Sequence, residues 1–178
     1  MRAESSAATP GETRPARSPR TLALMLGSVT APVIALDQAS KLYISSRMRL
    51  YETIPLIPNW LDITYALNPG AAFSLFANLP ERFRTVLLFA LHVVAIVVIL
   101  GLLARSLRPT LTSVALSLIL AGAAGNLIDR ALRGRVIDFV RAHYYSYNWP
   151  IFNVADSAIT IGVAMILLSM LLSPRPDD

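Results

Sequence analysis

Asp138 and Asp156 stand eighteen residues apart at the margins of apolar sequence, and as a pair they could hydrolyse an amide. Two carboxylates in a partly dry site cannot both ionise easily, so one pKa rises and the pair holds one shared proton near neutral pH. The charged member can then take a proton from water. The neutral member donates to the carbonyl oxygen, and the pair afterwards supplies the proton taken from water to the leaving amine. The competing reading gives the two aspartates separate duties, with Asp156 capping the helix that follows it.

Other polar residues gather nearby in sequence. Asn126, Asp129 and Arg130 fall at i, i+3 and i+4, which places them on one face of a helix. Adjacent Asp129 and Arg130 read as a hydrogen-bonded brace for the loop that carries Asp138. Asp37 and Lys41 have the i, i+4 order that favours a helical ion pair. Ser40 beside Lys41 raises a serine–lysine hydrolase, but neighbouring helical residues point about 100° apart, which disfavours it. His92 and His143 are the two histidines and lack the spacing of a zinc-peptidase helix. His92 reads as packed or bonded to its own helix. No G-x-S-x-G elbow or Gly-rich phosphate loop occurs, and with no cysteine a thiol nucleophile is excluded. Aspartates are the remaining hydrolytic equipment, and neither metal nor organic cofactor is called for.

Four apolar runs must position these groups: 21–36, 85–104, 110–128 and 157–174. A membrane span needs roughly 17–25 apolar residues, so all four qualify, the first marginally. If each run crosses once, the first and third end, and the fourth begins, on one side of the membrane. Asp37, Asp129, Asp138 and Asp156 then share that side. A carboxylate at bilayer depth costs about 2.5–3.5 kcal/mol on insertion scales, so four at one boundary mark a site. The spans are expected at about 21–40, 85–104, 110–130 and 155–173, in one domain over 21–174. The small residues of 121–125 would let another helix approach closely.

The longest loop, about 45–80, carries a β signal. Residues 62–67 alternate polar with apolar and are rich in β-formers. Asn68, Pro69 and Gly70 suit a type II turn, and residues 71–76 continue as strand or short helix. The expected fold is therefore an all-α membrane protein of four transmembrane helices with a small sheet at the membrane surface, over the aspartates. Trp60, Trp149, Tyr144, Tyr145 and Tyr147 suit the headgroup level.

Composition agrees. The chain has 178 residues, 54% hydrophobic and 15% charged, against about 25% charged in soluble domains. Its net charge of +5 lies in arginines flanking apolar runs, which fits anionic lipid headgroups rather than nucleic acid. Residues 1–20 read as a disordered basic tail. A cleavable signal peptide is the competing reading for the first run, but no small-x-small site follows it. Arginines fall on both sides of the membrane and do not decide the orientation. The basic tail favours an N-terminus inside.

Five blocks together resemble the signatures of lipoprotein signal peptidase (signal peptidase II). They are Asp37-Gln38-Ala39-Ser40-Lys41, Asn68-Pro69-Gly70-Ala71-Ala72-Phe73, Gly125-Asn126-Leu127-Ile128-Asp129-Arg130, Val136-Ile137-Asp138-Phe139 and Phe152-Asn153-Val154-Ala155-Asp156-Ser157. They occur in the family's order and cover the chain from about 22 to 172. The basic tail is longer than the family leads one to expect and carries none of its motifs.

The resemblance implies an aspartic endopeptidase of the bacterial cytoplasmic membrane. It would cut diacylglyceryl-modified prolipoproteins just before the lipidated cysteine and be sensitive to globomycin. It would need no cofactor and work as a monomer among membrane lipids. Asp138 and Asp156 match the catalytic aspartates. Asp37, Asn68, Gly70, Asn126, Asp129, Arg130, Asn153 and Ala155 match the pocket and its supports, and Lys41 joins them as the partner of Asp37. Termini would be cytoplasmic and the active face extracytoplasmic. Phe73 and Phe76 could cover the cut site and exclude water. Two other readings are a proton-relaying transporter subunit and a scaffold whose aspartates only cap helices and pair with cations. The first lacks a polar path through the runs at 85–104 and 157–174.

Overall fold

The computed structural model describes residues 19–70, 79–106 and 108–172. The basic tail, the segment with Phe73 and Phe76, and the last six residues lie outside them. Among the described residues, four helices are long and apolar enough to cross a membrane: Pro19–Arg47, Glu81–Leu103, Leu111–Arg133 and Val154–Leu172.

The first crossing has three parts: α1 (Pro19–Met25), a π-helical turn (Leu26–Thr30) and α2 (Ala31–Arg47). No residue pattern marks that turn in advance. Where it ends, the buried Thr30 hydroxyl donates to the Ser117 carbonyl at 3.2 Å, tying this helix to the third crossing. The helix also runs past the expected end near residue 40. Asp37 and Lys41 do not stop it, because their charges are neutralised inside the bundle and apolar Ile44 and Met48 are buried further along.

Crossings two, three and four are α3 (Glu81–Leu103), α4 (Leu111–Arg133) and α5 (Val154–Leu172). The α4 start is fixed by a capping box between Thr110 and Ser113, and its end by Gly134 with φ +70. Helix α4 is the central one: α1, α2, α3 and α5 all pack on it. Small residues permit this. A Cβ on Gly122 would strike the Ala155 carbonyl, and one on Gly125 would strike the Asp37 carboxylate. Met25, Ile99, Leu103, Leu116 and Leu120 form the apolar core at the other end of the bundle. Many apolar side chains of α3 and α5 remain exposed, as a lipid-facing surface requires.

Among the described residues, four strands form one antiparallel sheet in the order β1-β2-β3-β4: β1 (Thr53–Ile57), β2 (Leu61–Asn68), β3 (Val136–Tyr144) and β4 (Tyr147–Asn148). The expected strand at 62–67 is thus β2. The segment holding Asp138 is a strand rather than a loop. Ala66 faces Asp138 and Asn68 faces Val136 across the β2–β3 ladder. Ile137 and Phe139 pack with Ile44 and Met48 at the end of α2, so alternation turns Asp138 to the opposite face of β3. Trp60, Tyr144, Tyr145, Tyr147 and Trp149 are all exposed on or beside this sheet, with the Trp60 ring tilted against Tyr144 and Tyr144 edge-on to Tyr145.

Candidate active site

Asp138 comes from β3 and Asp156 from the first turn of α5, and Asn153 lies between them. The Asn153 side-chain nitrogen donates to Asp138 Oδ1 at 2.7 Å. Its main-chain nitrogen donates to Asp156 Oδ2 at 3.2 Å, and its side-chain oxygen accepts from the Asp156 main-chain nitrogen at 2.9 Å. The last two bonds form a reciprocal cap at the start of α5. Asn153 is therefore the capping residue, and Asp156 its partner three positions on. The cap that the sequence suggests for Asp156 falls to Asn153 instead, and this one residue bonds to both carboxylates.

Each carboxylate has a further amide. Asn126 Nδ2 donates to Asp156 Oδ1 at 2.8 Å, and Asn68 Nδ2 donates to Asp138 Oδ2 at 2.9 Å. The Asn68 oxygen also receives the Gly70 main-chain nitrogen at 2.7 Å, closing a tight turn in which Gly70 has φ +90. A side chain at Gly70 would collide with Leu88 of α3. The turn is thereby pressed between Asp138 and the helix.

Asp138 is almost wholly buried, with 2% of its surface exposed. Burial pushes its pKa up to about 7, and the nearby Asp156 charge adds to the rise. The amides of Asn68 and Asn153, and the more distant Lys41, act in the opposite direction. At neutral pH the group is thus poised between its acid and base forms.

Beneath the pair lies a buried charge cluster that the sequence indicates only in part. Lys41 Nζ meets Asp37 Oδ2 at 2.8 Å, Asp129 Oδ2 at 2.9 Å and Asn126 Oδ1 at 3.1 Å. Three ammonium hydrogens thus face three acceptors. Asp37, Lys41 and Asp129 have no exposed surface. Asp37 Oδ1 also accepts from the Ala155 main-chain nitrogen at 2.9 Å, and Asp129 Oδ2 from the Ile137 main-chain nitrogen at 3.2 Å. The cluster therefore holds both segments that carry the paired aspartates.

The expected Asp129–Arg130 brace needs correction. Asp129 does tie down the strand bearing Asp138, but its cations are Lys41 and Arg133, the latter at 2.9 Å. Adjacent helical residues diverge by about 100°, so Arg130 turns away. It lines a cavity of about 690 Å³ together with Asn68, Gly70, Asn126, Phe152 and Asp156. Its Nε is buried and has no hydrogen-bond partner among the described residues. Leu88 and His92 of α3 and Ile159, Thr160 and Ile161 of α5 extend the cavity down between the helices. His92 is bonded to its own helix, as expected, with Nδ1 2.7 Å from the Leu88 carbonyl oxygen. It also faces the cavity, which its sequence position does not reveal. Ser40 donates to the Asp37 carbonyl at 2.8 Å, which leaves no serine–lysine dyad.

A four-crossing bundle with a surface sheet and paired acids above an apolar cavity defines a membrane-embedded enzyme. A family model described as Signal peptidase (SPase) II matches residues 29–172. The chain is 46% identical over 139 residues to the lipoprotein signal peptidase of Syntrophotalea carbinolica, covering 77% of this chain and 84% of that one. It is 44% identical over 152 residues to that of Geobacter metallireducens, covering 83% and 90%. It also resembles a solved bacterial membrane enzyme determined in meso at 1.9 Å, with TM-score 0.74 and 30% identity over 92% of this chain and all of the other. The chain belongs to the signal peptidase II family and is a peptidase.

Proposed function

We propose that this peptidase is of the aspartic type and removes signal peptides from diacylglyceryl-modified prolipoproteins, cutting before the lipidated cysteine. The observation that carries this reading is the bridging of Asp138 and Asp156 by one asparagine, above a cavity whose walls run down between α3 and α5. A lipid-modified precursor stays in the bilayer, so its cut site has to be handled at the interface. Apolar helix walls suit the signal helix and acyl chains.

Asp138 carries the shared proton and Asp156 acts as base. This follows from the burial of Asp138 and its raised pKa. Asp156 draws a proton from water as the water oxygen attacks the scissile carbonyl carbon and Asp138 protonates the carbonyl oxygen. As the C–N bond breaks, Asp156 passes its proton to the amine and Asp138 takes one back from a hydroxyl of the tetrahedral intermediate. Arg130 lines the cavity, and its guanidinium is suited to a carbonyl oxygen of the bound peptide. Termini in the cytoplasm and the sheet on the outer face complete the reading, in the cytoplasmic membrane of a bacterium.

The test is a gel-shift assay with purified enzyme on diacylated and unmodified precursor. The diacylated form is cut and the unmodified form is not. Equal cleavage of both would remove lipid modification from the substrate's definition.

A further inference from the structure

His92 lies in the middle of α3, a long apolar helix, and none of the signature blocks includes it. An ionisable residue inside a span is costly and is retained where it faces a cavity or another protein group. His92 does both. Its Nδ1 sits 2.7 Å from the Leu88 main-chain oxygen, and a carbonyl oxygen cannot donate, so Nδ1 carries a hydrogen. In the neutral ring Nε2 is then an acceptor. Among the described residues Nε2 has no partner, and it is not one of the enclosed atoms.

Its depth is informative. Leu88 packs at Gly70, level with the Asn68 amide that holds Asp138. His92 is one turn further along α3, about 6 Å deeper. Thr160 is likewise one turn beyond Asp156 on α5, and its hydroxyl is committed to the Asp156 carbonyl at 2.8 Å. At this level of the cavity, His92 Nε2 is therefore an acceptor without a partner among the described residues, while the Thr160 hydroxyl has its hydrogen committed and keeps only its oxygen lone pairs.

A peptide laid through an apolar cavity to reach the aspartates cannot stay helical at its cut site, and each extended residue brings a main-chain N–H that needs a partner. We propose that His92 Nε2 accepts a hydrogen bond from a main-chain N–H of the signal peptide, one to four residues on the membrane side of the cut. This makes His92 a substrate-positioning residue, and the inference rests on the signal-peptidase reading above. Its contribution is to binding, with no proton transfer in the reaction.

The experiment is a cycle between enzyme and substrate. His92→Leu and His92→Gln are compared with the unaltered enzyme on a diacylated precursor and on versions in which an ester replaces one amide at each of the four positions. The unaltered enzyme shows a KM about tenfold higher for one ester, with kcat little changed, since one hydrogen bond is lost. His92→Leu has that raised KM on the all-amide precursor, and the ester adds nothing to it. His92→Gln, whose side-chain oxygen can accept, keeps the ester sensitivity. It also decides the matter if the leucine variant does not fold. Ester effects that persist in full in His92→Leu, or are lost in His92→Gln, overturn the proposal. So does a KM indifferent to both substitutions. Failure of the unaltered enzyme to cut any lipidated precursor would instead overturn the signal-peptidase reading.

Discussion

Asn153 touches Asp138 with its side-chain nitrogen, at 2.7 Å, while its side-chain oxygen takes the first-turn N–H of Asp156. One side-chain amide therefore fixes the start of a membrane helix and orients Asp138, while the main-chain nitrogen of the same residue holds the Asp156 carboxylate. Asn153→Ala removes the cap and the orienting bond together. Loss of the cap costs about 0.5–2 kcal/mol, which thermal unfolding in detergent will register. The activity loss is larger, about a hundredfold or more, because the acids lose their mutual alignment. An Asn153→Ala enzyme with near-normal kcat would remove the bridge from the mechanism.

The raised pKa of Asp138 predicts the alkaline side of the pH profile. With the proton on Asp138 required, the rate falls as pH rises through about 7. The limbs of the resulting bell belong to the pair. The Asn68 amide favours the charged form of Asp138, so Asn68→Ala shifts the alkaline limb to higher pH. Stability follows the same sign. The folded pKa lies above the ordinary value of 3.8, so the contribution of Asp138 to stability is full below about 4 and is lost as pH rises through about 7. Rate measurements from pH 5 to 9 on both enzymes check the first two statements.

Lys41 is the only cation touching Asp37 among the described ion pairs, and it shares Asp129 with Arg133. Lys41→Met leaves a buried carboxylate without a counter-charge. Breaking a buried pair from one side costs about 3–5 kcal/mol. The variant will unfold at markedly lower temperature in detergent, and an unchanged midpoint would contradict the buried cluster.

Gly122 carries the packing of α4 on α5. The smallest side chain there meets the Ala155 main chain, which cannot move away without shifting Asp156. Gly122→Ala therefore costs about 1–3 kcal/mol and lowers the rate as well. Gly27, with open space around its Cα, serves as the control: its alanine variant leaves both unchanged.

The four crossings were legible because apolar length alone identifies them, and β2 because alternation marks a half-buried strand. Strand β1 was obscured by Pro55 and Pro58. The latter precedes Asn59 at φ +65 in the β1–β2 turn, and Pro-Asn was the available signal. Strand β3 was missed because it follows closely on Arg133, Gly134 and Arg135, which look like loop. At the site, the residue set was available through the motif resemblance, and the Asp37–Lys41 pair through helical spacing. The partners of Asp129 were not. The bond from Lys41 to Asp129 joins two crossings far apart in sequence, and no local pattern encodes such a contact. The cavity face of His92 was hidden for a related reason, since only the packing of α3 and α5 around α4 defines which side of α3 borders the cavity.

The most direct measurement is single-turnover cleavage of a diacylated precursor by Asp138→Asn, Asp156→Asn and the double variant, each confirmed folded by its unfolding midpoint. Two acids working as one unit give strongly non-additive losses. Each single variant should lose about a thousandfold or more, and the double variant no more than either. A single variant that keeps a tenth of the normal rate, or losses that multiply in the double variant, would contradict the shared-proton pair.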